Sequence, residues 1–111
     1  MPEKKHENLV SQILDPKDLI TYQEGSVVSR MIVYKKSGTI TLFAFDAGEG
    51  LSEHTAPYDA IAQIIDGEAE ISIEQAPFLL KEGQMIIMPA DHPHALKALA
   101  PFKMALVMIR S

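Results

Sequence analysis

From Val27 onward, short runs of apolar and β-branched residues are broken at close, regular intervals by glycine, proline and acidic residues, a rhythm that predicts strands. Val27 to Tyr34 and Thr39 to Asp46 carry β-branched and aromatic residues and are joined by Lys35-Lys36-Ser37-Gly38, which predicts a first hairpin. Asp46-Ala47-Gly48-Glu49-Gly50 then interrupts the pattern, since two glycines so close supply backbone angles that other residues avoid. Leu51 to Ala56 reads as a short strand. Ala60 to Ile65 and Glu68 to Ile73 flank Asp66-Gly67, a pair that favours a type I′ hairpin turn with positive φ at both central residues. Phe78 to Lys81, Met85 to Met88, His94 to Ala98 and Phe102 to Ile109 complete a series of short strands, which predicts an all-β sandwich or barrel.

The part before Val27 differs. The first ten or so residues are polar and are expected to be loosely held. Around Asp15-Pro16-Lys17-Asp18-Leu19 one helical turn is predicted, with Asp15 as N-cap and Pro16 at the first helical position, where its missing N–H costs nothing. No other segment has a helical period.

The last strand reports on its surroundings. One face of Phe102 to Ile109 is Phe102, Met104, Leu106 and Met108, and the other is Lys103, Ala105, Val107 and Ile109, so both are largely apolar. Burial on both sides needs a second layer, and a partner subunit in a homodimer is the expected source. The alternative is that the N-terminal segment folds back over one face.

Composition narrows the picture further. A chain of 111 residues with 47% apolar content is sized for one globular domain spanning residues 1–111. The net charge of −5 and the absence of any basic run longer than two residues, such as Lys4-Lys5, argue against nucleic acid as a partner, because phosphate binding needs clustered cations. No apolar stretch approaches the roughly 20 residues that span a bilayer, and Met1-Pro2-Glu3-Lys4-Lys5-His6 lacks the apolar core of a secretory signal, so no membrane association and a cytoplasmic location are expected. With no cysteine, disulfides, thiolate metal sites and cysteine nucleophiles are all excluded.

Two glycine-framed histidine segments stand out. Gly48 is followed by His54, Ala56, Ala60 and Gly67, and Gly83 by Pro89, Asp91, His94 and Ala98. These spacings resemble the two motifs of the cupin superfamily, Gly-x5-His-x-His-x3-Glu-x6-Gly and Gly-x5-Pro-x-Gly-x2-His-x3-Asn. The framing glycines, the proline and two histidines agree, whereas Ala56, Ala60 and Ala98 stand where the pattern has histidine, glutamate and asparagine, and Asp91 where it has glycine. The resemblance covers about residues 38–109, with its motifs at 48–67 and 83–98. It implies an antiparallel jelly-roll β-barrel (a double-stranded β-helix) whose usual metal site has lost two ligands.

Alternation along a strand puts His54, Ala56 and, beyond the bend at Pro57, Ala60 on one side, and in a cupin that side is the barrel interior. The resemblance places His94 on a neighbouring strand, facing the same interior. Tyr58 shares the parity of His54, so its hydroxyl is a candidate for the same pocket, while Glu53, Asp59 and Gln63 have the opposite parity. His92 is a candidate for the pocket mouth. Met88 and Met104 are further candidate lining, with Met85 and Met108, because methionine deforms to fit a ligand; ordinary core filling is the better account of any one of them. Gly48, Gly67, Gly83 and Pro89 read as turn residues. Arg30 and Lys103 sit in otherwise apolar strands, where reaching out to the surface explains them better than binding an anion. His6, in the polar start, is expected to be a solvated surface residue.

Three readings follow. In the first, alanines at 56 and 60 leave a wide apolar cavity in which His54 and His94 anchor a small, partly apolar ligand by its polar end. In the second, His54 and His94, with His92 or waters, hold a divalent transition metal (Fe, Mn, Ni or Zn) for an oxygenase- or isomerase-type reaction. Catalytic zinc sites usually have three protein ligands, which weakens this reading. In the third the barrel is only an interaction scaffold. Ser52 shares a face with His54 by parity, but no carboxylate is placed to orient the histidine, so a Ser-His hydrolase is discounted.

Overall fold

The computed structural model describes residues 9–110; the expectations for His6 and for most of the polar start lie outside the described residues. Among the described residues nine strands form two antiparallel sheets. The strands are β1 (Val27–Lys35), β2 (Gly38–Phe45), β3 (Gly50–His54), β4 (Asp59–Asp66), β5 (Glu68–Ile73), β6 (Ala76–Lys81), β7 (Met85–Met88), β8 (His94–Lys97) and β9 (Phe102–Ile109). One sheet runs β1-β2-β9-β4-β7 and the other β3-β8-β5-β6, the jelly-roll arrangement that the motif spacing implied. Among the described residues no helix is long and apolar enough to cross a membrane.

Period-2 alternation decides which side chains meet between the sheets. Phe45 and Phe102 pair across β2 and β9 and stack at 4.6 Å between ring centroids, closing one end of the core. Ala60, Ala62 and Ile64 from β4 and Met104 from β9 meet Ala69, Ile71 and Leu96 from the four-stranded sheet. Pro77 is tolerated within β6 because β6 is an edge strand.

The first hairpin forms as expected, with Lys35 opposite Gly38. Asp66-Gly67 does not make a hairpin: β4 and β5 belong to different sheets, so this pair is the corner where the chain crosses between them. Asp66 stays in the β4 ladder opposite Lys103, and positive φ is confined to Gly67, at +77°. Glycine is required there because a Cβ would lie 2.5 Å from the Pro101 carbonyl oxygen. The turn with two consecutive positive φ angles is instead Glu74-Gln75, at 51° and 71°, between the paired residues Ile73 and Ala76. No glycine or asparagine marks it in the sequence. Tertiary contacts hold it, with the Glu74 N–H donating to the Pro93 carbonyl at 2.8 Å.

The predicted helical turn is a single 3-10 turn, Pro16–Asp18, with Pro16 at its start and Asp15 before it. The Asp15 side chain makes no cap bond; backbone bonds from Asp18 N–H to Asp15 O and from Leu19 N–H to Pro16 O close the turn. Beyond it, Leu19 and Ile20 pack on Leu42, Ala44 and Ala105, on the outer face of the five-stranded sheet. The two strand cations lie on that face: Arg30 donates to Leu19 O at 3.0 Å and Lys103 to Lys17 O at 2.6 Å. Tyr22 donates to Asp66 at 2.7 Å and lies under Lys103, which completes the clamp. The N-terminal segment therefore does fold back over β9, but only at the end near Ala105.

Candidate functional site

Antiparallel pairing of β3 with β8 sets His54 opposite His94, so two imidazoles rise from adjacent strands. Their centroids are 4.4 Å apart and the rings meet edge to face at 69°. The Nδ1 of His54 lies 2.8 Å from the Ser52 carbonyl oxygen, and the Nδ1 of His94 lies 3.3 Å from that of His92. A carbonyl only accepts, so each Nδ1 carries a proton, and Nε2 is the ring atom through which a neutral imidazole here would accept. His54 is exposed, whereas His94 is buried at 6% exposure. Loss of hydration pushes the His94 pKa below its ordinary 6.5 and proximity to His54 pushes it further, against a smaller opposing effect of its bond to the His92 carbonyl.

These rings border a cavity of ≈ 50 Å³ between the sheets. Ala56, Ala60, Met88 and Met104 line it, as do Leu51, Leu96, Leu106 and Met108, so among the described residues His54 and His94 are its only polar side chains. By volume it holds about three or four waters, or a small organic fragment. The space beside Ala56 and Ala60 is apolar, as the sequence suggests, and small, with methionine and leucine side chains around it.

Several sequence-level candidates fall outside this lining. Tyr58 is not part of it; its ring packs against the Arg110 guanidinium at 5.6 Å, with Tyr34 on the same cation at 6.0 Å. Parity fails for Tyr58 because the chain bends at Pro57 before β4 begins at Asp59. His92 sits in the β7–β8 loop, half exposed, with its Nδ1 donating to Glu74 at 2.7 Å. That loop is tied back by Asp91, at φ 65°, whose N–H donates to the Ala56 carbonyl. Asp59 accepts from the Ala90 N–H and Gln63 donates weakly to Gly83 O, so both are engaged away from the cavity. Met85 pairs with Gln63 on the outer face and is 57% exposed. Leu51 is the lining residue that strict alternation hides: a register shift between Leu51 and His54 brings residues three apart to one cavity. Leu96, two from His94, and Leu106 and Met108, in step with Met104, follow from alternation alone.

Residues 41–110, most of the strand-bearing part, match the cupin domain family. The chain belongs to the cupin family. Among solved structures, this cupin is similar to a conserved protein of unknown function from Streptococcus pyogenes, at 37% identity and a TM-score of 0.86, covering 91% of this chain and 89% of that one. It is similar at 36% identity and a TM-score of 0.82 to a cupin 2 conserved barrel domain protein from Leptotrichia buccalis, covering 85% of this chain and 46% of that one. A cupin superfamily protein from Desulfitobacterium hafniense aligns at 28% identity and a TM-score of 0.86, covering 91% and 93% of the two chains. No curated protein matches the sequence.

The donor set is a poor match to a resident metal. Among the described residues no group of three or more His, Cys, Asp or Glu side chains is placed to hold one. His54 and His94 converge, but Ala56 and Ala60 offer no donor and His92 is engaged with Glu74. Two imidazoles are one ligand short of the usual catalytic zinc set.

Proposed function

We propose that this cupin is a binding module for a small, partly apolar molecule whose polar end donates a hydrogen bond, such as an alcohol, a phenol or an amine N–H. The observation that carries the reading is the pair of imidazoles, each with its Nδ1 against a backbone carbonyl, that line an otherwise apolar cavity. A carboxylate head group fits less well, because it would need a protonated ring and His94 is biased toward the neutral form. Anything as large as a phenol ring enters only when Met88, Met104 or Met108 changes rotamer, which unbranched methionine does at little cost.

The test titrates phenol, benzyl alcohol and benzoate into the untagged protein at pH 7.5 while the imidazole ¹⁵N resonances are followed by NMR. Phenol and benzyl alcohol are expected to shift the Nε2 signals of His54 and His94 saturably, benzoate to have at least ten-fold weaker affinity, and His54→Ala/His94→Ala to abolish binding. Equal binding of benzoate, or unchanged phenol binding in the double variant, overturns the reading. So does near-stoichiometric metal in protein purified without chelator that is lost in the same variant, since that result returns the site to metal chemistry.

A further inference from the structure

The histidine pair accounts for one wall of the barrel's end and leaves a cation on the opposite wall unexplained. Lys35 pairs with Gly38, Gly38 with Ile109 and Ile109 with Asp59, so the β1–β2 hairpin, the end of β9 and the start of β4 lie together at that end. His54 closes β3 just before β4 begins, and His94 stands opposite it, so the two imidazoles share the same end. Arg110 follows β9 there and stays in the ladder, its N–H donating to the Ser37 carbonyl at 2.8 Å. Met104, Leu106 and Met108 line the cavity, and the same alternation carries Arg110 onto the inner face, about 7 Å along the strand from Met108.

The guanidinium is stacked but unpaired. It lies 5.6 Å from the Tyr58 ring centroid and 6.0 Å from that of Tyr34, which belongs to the inner row Tyr34-Thr39-Met108-Ala60-Met88. Its Nε is buried without a hydrogen-bond partner, and among the described residues no carboxylate pairs with it. Arg30 and Lys103, by contrast, each reach a backbone carbonyl. A guanidinium keeps its charge at every physiological pH and presents its donors in a flat fork that matches a carboxylate. Two aromatic faces fix the plane of that fork without satisfying any N–H, and a buried donor with no acceptor is costly to keep unless something else meets it.

We infer that Arg110 is a specificity-determining residue that takes the carboxylate of a hydroxy acid whose hydroxyl is held by His54 and His94. The inference rests on the ligand reading above and adds the second end of the molecule. The imidazoles rise from the four-stranded sheet and Arg110 from the five-stranded one, and facing sheets pack about 10 Å apart. Hydroxyl and acid therefore meet opposite walls, with the apolar carbons between them over the cavity. The acid avoids His94, which is biased toward the neutral form, and finds a cation already fixed in orientation. Benzoate, which has the acid but no donor for the imidazoles, stays the weaker ligand.

Calorimetric titration of phenol, 3-hydroxybenzoate and 4-hydroxybenzoate into the full chain at pH 7.5 tests this, in wild type, Arg110→Gln and Arg110→Lys. At that pH the acids are ionised and the phenolic hydroxyls keep their protons. At least one of the two acids is expected to bind about ten-fold tighter than phenol in wild type, as a charge-assisted bond would give. In Arg110→Gln that advantage should vanish to within roughly two-fold, while phenol binds as before. Arg110→Lys, closest in size and charge and so the guard against a folding defect, loses the flat fork and should keep only part of the advantage. The inference is overturned if neither acid binds tighter than phenol in wild type, or if the full advantage persists in either folded variant. Both results leave phenol binding, and with it the ligand reading, intact; failure of phenol itself to bind wild type removes that reading and the inference built on it.

Discussion

Ala60→Val probes the cavity with an outcome opposite in sign to most core changes. Ala60 is 3% exposed, pairs with Met88 on one side and Met108 on the other, and points its methyl group into the ≈ 50 Å³ space. Valine adds two methyl groups at that point, and a void able to take three or four waters has room for both. At about 0.8 kcal/mol per buried methyl-sized group, filling it stabilises the fold by up to ~1.5 kcal/mol, helped by the preference of β-branched residues for strands. For a domain of this size each kcal/mol moves Tm by roughly 4–8 °C, so a rise of about 5–10 °C is expected by differential scanning calorimetry. Phenol binding should weaken at least ten-fold in the same protein, because the ligand and the new methyl groups compete for one space. A loss of more than ~1 kcal/mol would refute the reasoning, since overpacking on that scale means the space does not exist. A stabilised protein with unchanged phenol affinity would leave the cavity real but place the ligand elsewhere.

Two further outcomes follow from the site and its loops. Because the folded-state pKa of His94 lies below its unfolded value of 6.5, the unfolded chain binds more protons in that window; urea unfolding should show full stability above pH 6.5 and a decline as pH falls through the folded-state pKa, and an equal slope in His94→Gln would refute this. Gln75→Gly removes a side chain held at φ 71° and should raise stability by about 0.5 kcal/mol, the relief of a left-handed conformation worth ~1 kcal/mol less the greater freedom of glycine in the unfolded chain; a lower urea midpoint would show that the turn depends on the Gln75 side chain.

All nine strands were legible in the chain, with ends displaced by a residue or two, because a face that is wet on one side and dry on the other imposes alternation on the sequence itself. The family was legible for a related reason: Gly48, Gly67, Gly83 and Pro89 mark corners whose spacing the barrel requires, whatever fills its interior. His54, Ala56, Ala60 and His94, which strand parity and the motif spacing named, all line the cavity, as do Met88 and Met104, which were candidates only as deformable side chains; Tyr58, named by the same parity, does not. Long-range events stayed hidden. Asp66-Gly67 has the local chemistry of a hairpin turn, yet it is a sheet crossing, because β4 pairs with β7 and β9 while β5 pairs with β6 and β8.

The sequence by itself determined the strand content, the jelly-roll class and the pairing of two histidines with an apolar interior, since each depends on residue type at fixed local spacing. Tertiary structure alone decided the rest. It bulged β3 so that Leu51 joins His54, drew Tyr58 away onto Arg110, and engaged His92 with Glu74. It also set methionine and leucine side chains around Ala56 and Ala60 and so fixed the size of the cavity. Those outcomes turn on which distant groups meet and how tightly they pack, and close packing between sheets is a property of the whole assembly that no run of residues encodes by itself.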